Sequence, residues 1–267
     1  MPRPTIGVFD SGFGGLTVLK SLVELIPDAD YLYFGDTARL PYGSKSAATV
    51  SHYALGAIHY LQERGAEMIV IACNTASALA LSAVRQNVAI PIIGVIEPGA
   101  EQAAAASKNR KVVVIGTEAT VASHAYQQAL AVHSITAREK ACPLLVPLIE
   151  EGWTEHTVTD QVAHIYLDEA FRDSFADADV LVLGCTHYPL IKPLLRRVAP
   201  SHVTLVDSAD STAQSVAAQL KTDAISKTGE APSIQFFVTD SVEKFQRLGP
   251  RFLGRDIPRV EHVDLQE

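Results

Sequence analysis

Met68-Ile69-Val70-Ile71-Ala72-Cys73-Asn74-Thr75 and Val180-Leu181-Val182-Leu183-Gly184-Cys185-Thr186-His187 are two stretches built to one pattern. Each is a short apolar run that ends in a small residue, a cysteine and two polar residues. A run apolar on both faces reads as a buried strand of a parallel sheet, and the polar residues after it read as a helix start. Open α/β sheets bind ligands outside the carboxyl ends of their strands. Both thiols are therefore expected at a site, each as a nucleophile, a metal ligand or a base. Their mirrored settings point to one thiol on either side of a single substrate.

The same alternation extends outward from this pair. Besides the two cysteine runs, strands are expected at residues 5–9, 30–34, 92–96, 111–116, 144–148 and 203–206. Helical periodicity fills 17–25, 46–63, 77–86, 120–132, 157–175 and 191–198, mostly after Ser, Thr or Asp caps. Strands that alternate with helices build parallel sheets flanked by helices. Val8-Phe9-Asp10-Ser11 and Val114-Ile115-Gly116-Thr117 also match as strand and turn, at nearly the spacing of the cysteine runs. Two such matches predict a duplicated α/β unit. Glu97-Pro98-Gly99 breaks the pattern and suggests a boundary near 96–100. The tail gives a strand at 234–238, a helix at 241–253 and a short strand at 260–264, and is expected to return to the first unit.

Bulk properties exclude several classes. The 267 residues suit two modest cores, and 48% hydrophobic with 19% charged residues is too apolar for a disordered chain. A net charge of −8 opposes a dedicated nucleic-acid binder. Three cysteines without a CxxC pair fit a reducing compartment better than a disulfide scaffold. Met1-Pro2-Arg3-Pro4-Thr5 shows no apolar signal region, and no run has the length of a membrane span. A soluble, cytoplasmic protein is expected.

Several constellations carry chemistry. A helix start lowers a thiol's pKa, which would make thiolate available at Cys73 and Cys185. No histidine pair beside either cysteine completes a metal site, so catalytic thiols are favoured. Cys142, followed by Pro143, reads as packing. Asp10-Ser11-Gly12-Phe13-Gly14-Gly15 fits neither a dinucleotide fingerprint nor a phosphate loop. It is either a small anion site with an acid and a hydroxyl, or a glycine turn capped by Asp10. Gly35-Asp36-Thr37-Ala38-Arg39-Leu40-Pro41-Tyr42-Gly43 is a candidate site wall. Asn74-Thr75 and Thr186-His187 could grip carboxylates, with His187 as an acid–base partner and Glu150-Glu151 supplying a carboxylate near it.

The segments at 9–15, 34–43, 72–77 and 184–190, taken together and in this order, resemble glutamate racemase, within the aspartate/glutamate racemase superfamily. The tail, with Glu243-Lys244-Phe245 and Arg251-Phe252-Leu253-Gly254, is similar to that family's C-terminal segment. The resemblance implies an α/β fold of two pseudo-symmetric doubly wound parallel-sheet domains with the active site in the cleft between them. The first domain would hold residues 1–97 and 208–267, and the second 98–207. It also implies racemisation without cofactor or metal, in which a thiolate removes the α-proton and a thiol opposite returns one.

By the same resemblance, Cys73 serves the D form with help from Asp10, and Cys185 serves the L form with help from Glu151 and His187. Asp10, Ser11, Tyr42, Gly43, Asn74, Thr75, Thr186 and His187 would bind substrate, with Thr117 a further candidate. The product would be D-glutamate for peptidoglycan. A homodimer is implied, with glutamate as the small-molecule partner and neither nucleic acid nor membrane.

Four rival readings fit the chain less well. An aspartate racemase differs by one methylene, worth only ~1–3 kcal/mol in a pocket. Lyases of the superfamily generally keep one of the two cysteines. A two-lobed solute-binding protein gives no reason for paired thiols, and no lysine stands in a recognisable pyridoxal-phosphate setting.

Overall fold

Among the described residues every strand pairing is parallel, which sends all the strand ends of each sheet to one edge. The computed structural model describes residues 3–220 and 231–265. Strands β1 (Thr5–Asp10), β2 (Asp30–Gly35), β3 (Met68–Ile71) and β4 (Ile92–Gly94) lie in the first sheet. Strands β5 (Lys111–Gly116), β6 (Thr136–Ala141), β7 (Val180–Gly184) and β8 (Thr204–Asp207) form the second. The tail strands β9 (Ile234–Val238) and β10 (Glu261–His262) join the first sheet beside β2.

The order β2-β1-β3-β4 of the first sheet recurs as β6-β5-β7-β8 in the second. Register repeats as well: Val8 stands opposite Val70, and Val114 opposite Val182. The matched stretches are thus equivalent positions of a repeated unit, and the second α/β domain reproduces the ladder of the first.

The helices of the first half are α1 (Leu16–Leu25), α2 (Ala47–Glu63), α3 (Asn74–Asn87) and α4 (Ile96–Ala106). The second half adds α5 (Glu118–Ala122), α6 (Ala125–Val132), α7 (Leu145–Glu150), α8 (Thr157–Ala170) and α9 (Lys192–Val198). The tail supplies α10 (Ser208–Leu220) and α11 (Val242–Leu253). Side-chain caps start several of them. Ser46 accepts from the Thr49 amide at α2, and Thr117 from the Thr120 amide at α5. Among the described residues, no helix is long and apolar enough to cross a membrane.

One connected core reaches through both sheets, from Val8 and Val70 in the first to Ile115 and Leu183 in the second. Helix α1 packs on α10 within it, with Leu19 and Val216 both fully buried.

Two expectations are corrected. Residues 144–148 are not a strand but the body of α7. A short apolar run has no decisive period, and its Pro147 would interrupt a ladder but fits a first helical turn. The strand lies earlier, at β6, whose Thr-Ala-Arg-Glu-Lys-Ala is polar because it forms the sheet's edge and none of its residues is buried. Glu97-Pro98-Gly99 does not break the chain either; it is part of the first turn of α4.

Leu181, at the middle of β7, is fully buried. Leu181→Ala should cost about 2–5 kcal/mol of unfolding free energy in urea denaturation. A loss well under ~1 kcal/mol would contradict this packing.

Candidate active site

The carboxyl ends of β3 and β7 deliver the two cysteines to one cavity of about 380 Å³. Ser11, Tyr42, Gly43, Cys73, Asn74 and Thr75 wall it from the first half. Thr117, Cys142, Glu150, Glu151, Cys185, Thr186 and His187 wall it from the second, and Lys244 reaches in from the tail helix α11. The volume is that of a small-molecule site, and both thiols are only 6% exposed.

Cys73 occupies the N-cap of α3, where its sulfur accepts from the Ala76 amide at 3.4 Å. Its thiol donates to Ser11 Oγ at 3.4 Å. The helix start was expected to lower this thiol's pKa, and the outcome is the reverse. Burial and then the Asp10 carboxylate push Cys73 up to about 12, outweighing the Ser11 and Ala76 hydrogen bonds.

Asp10 ends β1 and is 1% exposed, next to Ser11 in the chain, and does not itself line the cavity. Its Oδ2 accepts from the Gly12 amide at 2.7 Å, while Oδ1 is buried without a partner. Burial raises its pKa, opposed by His187 and by backbone amides. The glycines of this loop allow close approach. A Cβ on Gly14 would stand 2.3 Å from Thr186 Oγ1 and 2.5 Å from His187 Nδ1, so the loop closes directly on the second half's site.

Cys185 follows β7 immediately and faces His187 Nδ1 at 3.9 Å. His187 Nε2 meets Glu150 Oε1 at 3.3 Å, and Lys244 Nζ donates to Glu150 Oε2 at 3.0 Å. Burial alone would lower the histidine's pKa. Hydrogen bonds and charge from Cys185 and Glu150 prevail and lift it to about 10. Glu150 is held below the usual carboxylate range, because His187 and Lys244 together outweigh its own burial.

The glutamate that meets His187 is therefore Glu150 and not Glu151, which lines the cavity but is exposed. Two adjacent glutamates are indistinguishable in sequence; only the phase at the end of α7 turns one inward.

Thr75, Thr117 and Thr120 join their hydroxyls across the cleft, at 2.9 Å for both bonds of Thr117 and 3.3 Å between Thr75 and Thr120. Asn74 accepts from the Tyr126 hydroxyl at 2.7 Å. Thr186 anchors its carbonyl on Thr17 Oγ1 at 3.1 Å. The Tyr42 hydroxyl donates to Asp36 Oδ2 at 2.5 Å, so it is not what Tyr42 offers the cavity. Gly43 lies against Thr117, where a Cβ would come within 3.0 Å.

The sequence alone gave no role to Lys244, Tyr126 or Thr120. Their part depends on which residues the two halves bring face to face. Cys142, read as packing, is fully buried and also lines the cavity, its thiol donating to the Lys140 carbonyl at 3.6 Å. Among the described residues, no group of three His, Cys, Asp or Glu side chains is arranged to hold a metal ion.

Known proteins resemble nearly the full length of the chain. The profile of the Asp/Glu/Hydantoin racemase family matches residues 6–216. The chain is 59% identical, over an alignment 285 positions long, to a glutamate racemase of Koribacter versatilis (strain Ellin345), covering 98% of each. Its structure superposes on a glutamate racemase isoform from Bacillus anthracis with a TM-score of 0.93 at 35% identity, covering 99% of both chains. A glutamate racemase from Francisella tularensis, solved in complex with D-glutamate, superposes at 0.90 with 37% identity, over 99% of this chain and 98% of that one.

His187 should titrate near 10 rather than at its ordinary 6.5, as followed by NMR of ring-labelled histidine. Because its folded value is raised, the stability it contributes is complete below 6.5 and is lost as pH climbs through about 10. Glu150→Gln should bring the midpoint down, since burial is then less opposed. An unchanged midpoint would show that Glu150 does not hold the proton.

Proposed function

The chain belongs to the Asp/Glu/Hydantoin racemase family, and from that premise we propose that it interconverts L- and D-glutamate without a cofactor, with Cys73 and Cys185 as opposed bases. Its relatives make it an amino-acid racemase, an isomerase. The observation that carries the finer reading is that both thiols line one small cavity, each from the end of a strand in a different sheet.

Racemisation needs little more than this. One sulfur, as thiolate, takes the α-proton, so that the Cα–H bond breaks and an S–H bond forms. The carbanion's charge spreads into the α-carboxylate, where positioned donors stabilise it. The opposite thiol then gives its proton to the other face of the carbon. Each turnover leaves the two sulfurs with exchanged protonation, ready for the reverse direction.

The site's charges are unequal in a way that suits this exchange. A carboxylate, Asp10, stands by Cys73, whose raised pKa keeps its proton on in the resting site. A histidine raised to about 10 and backed by Glu150 stands by Cys185. With Cys73 holding its proton, the resting site has its acid on that side, the arrangement that starts from L-glutamate if Cys185 serves the L form. Glu150, rather than Glu151, supports His187 in this scheme. Glutamate's ammonium, arriving near Asp10, would offset the charge that opposes a Cys73 thiolate in the other direction.

The remaining parts of the reading are that D-glutamate supplies peptidoglycan synthesis in the cytoplasm and that the protein forms a homodimer. Its two units would run over 1–97 with 208–267, and over 98–207.

Purified, cofactor-stripped protein in deuterated water should convert L-glutamate to D-glutamate. In early turnover deuterium should appear at the α-carbon of the product, while recovered substrate stays protiated. Cys73→Ala and Cys185→Ala should each lower racemisation by at least ~10²-fold, the usual scale of general acid–base catalysis. Absence of exchange in the unaltered protein, or full activity in either variant, would refute two-base racemisation.

A further inference from the structure

Helix α3 begins at Asn74, next to Cys73, and Asn74 is both 2% exposed and part of the cavity wall. Its side chain is held from across the cleft. Tyr126, fully buried on α6 of the second half, donates its hydroxyl proton to Asn74 Oδ1 at 2.7 Å. Asn74 Nδ2, by contrast, is buried with no hydrogen-bond partner. A buried amide nitrogen without an acceptor is costly unless something that binds the site supplies one.

We propose that Tyr126 is a positioning residue for racemisation, fixing the Asn74 amide so that Nδ2 is the donor presented to the substrate's α-carboxylate. This rests on the functional reading above. No mechanistic role was assigned to Tyr126 by the sequence, and it has no place in the wall of the cavity.

The direction of the amide follows from the Tyr126 bond. Burial holds the phenol's proton on, and that proton is donated to Asn74 Oδ1. The amide oxygen is thus the bonded end, and the NH2 end is left for the site. The start of the 14-residue α3 presents free amides and the positive end of its dipole, and favours an anion there. Thr75 and Thr117 add hydroxyl donors in the same wall.

The α-carboxylate is the anion concerned, because of where Asn74 sits in the chain. Its neighbour Cys73 has to reach the α-carbon, and only the α-carboxylate is bonded to that carbon. A donor fixed on this carboxylate strengthens as carbanion charge flows into it, so it acts on the transition state more than on bound substrate. Without the tyrosine's hydroxyl the amide is free to turn its oxygen toward the carboxylate, which repels it.

The test is racemisation of L-glutamate by the unaltered protein, Tyr126→Phe and Asn74→Asp in one assay. Thermal melting checks that the variants are folded. Tyr126→Phe keeps the buried ring and should lower kcat/KM by roughly 10- to 100-fold, mostly through kcat, the scale of one hydrogen bond to a charged group. Asn74→Asp keeps an acceptor for Tyr126 but loses the donor, and should fall at least as far. Near-normal kcat/KM in Asn74→Asp would mean that an oxygen faces the cavity and meets the substrate's ammonium, and would overturn the proposal. So would a Tyr126→Phe enzyme within about twofold of the parent. An inactive parent protein would instead remove the functional reading itself, and this proposal with it.

Discussion

A parallel strand cannot hand its chain back at the same edge, so every strand of such a sheet delivers its carboxyl end to one side. The rest of this molecule follows from that constraint applied twice. β1 and β3 bring Asp10 and Cys73 to one rim, and β5 and β7 bring Thr117 and Cys185 to another. Because the second sheet repeats the order and register of the first, equivalent positions arrive as equivalents. When the two rims meet at a single cavity, the two thiols line it from different sheets.

Facing rims are chemically similar but not identical, and the difference lies in what stands behind each sulfur. Behind Cys73 is a buried carboxylate in a glycine loop; behind Cys185 is a histidine braced by Glu150 and, through it, by Lys244. Burial disfavours any charge in such a place, so each ionised group needs a partner of opposite sign or a set of donors. The second rim has that set, which explains a histidine lifted to about 10 despite its burial. The first has a single unpartnered oxygen on Asp10, and its thiol is driven up to about 12. A duplicated scaffold thus sets one residue type in two different electrostatic surroundings.

The tail closes the arrangement. β9 and β10 extend the first sheet, while α11 passes far enough across to place Lys244 on a glutamate of the second half. The same chain segment therefore completes one sheet and charges the site of the other. Tyr126 makes the converse link, from the second half to Asn74 at the start of α3. The bond spans elements with no sequence proximity, and it holds a side chain that the local helix start leaves free to rotate.

Much of this was legible in the chain. Two apolar runs ending in small residue, cysteine and polar pair state their own structure, since buried parallel strands need apolar residues on both faces and helix starts need polar ones. The repeat, the strand-end thiols and most of the wall residues were readable for that reason. The edge strand β6 was not, because an edge is half-solvated and carries no apolar signature, and α7 was misread because a five-residue apolar run has no period to judge. What sequence determined by itself was local: which residues lie at strand ends, and of what chemical type. Only the tertiary structure decided which of two adjacent glutamates meets His187, that Asp10 does not itself line the cavity, and that burial reverses the helix's expected effect on Cys73. Each of these depends on distance and on the exclusion of water, which are properties of elements brought together and not of their order along the chain.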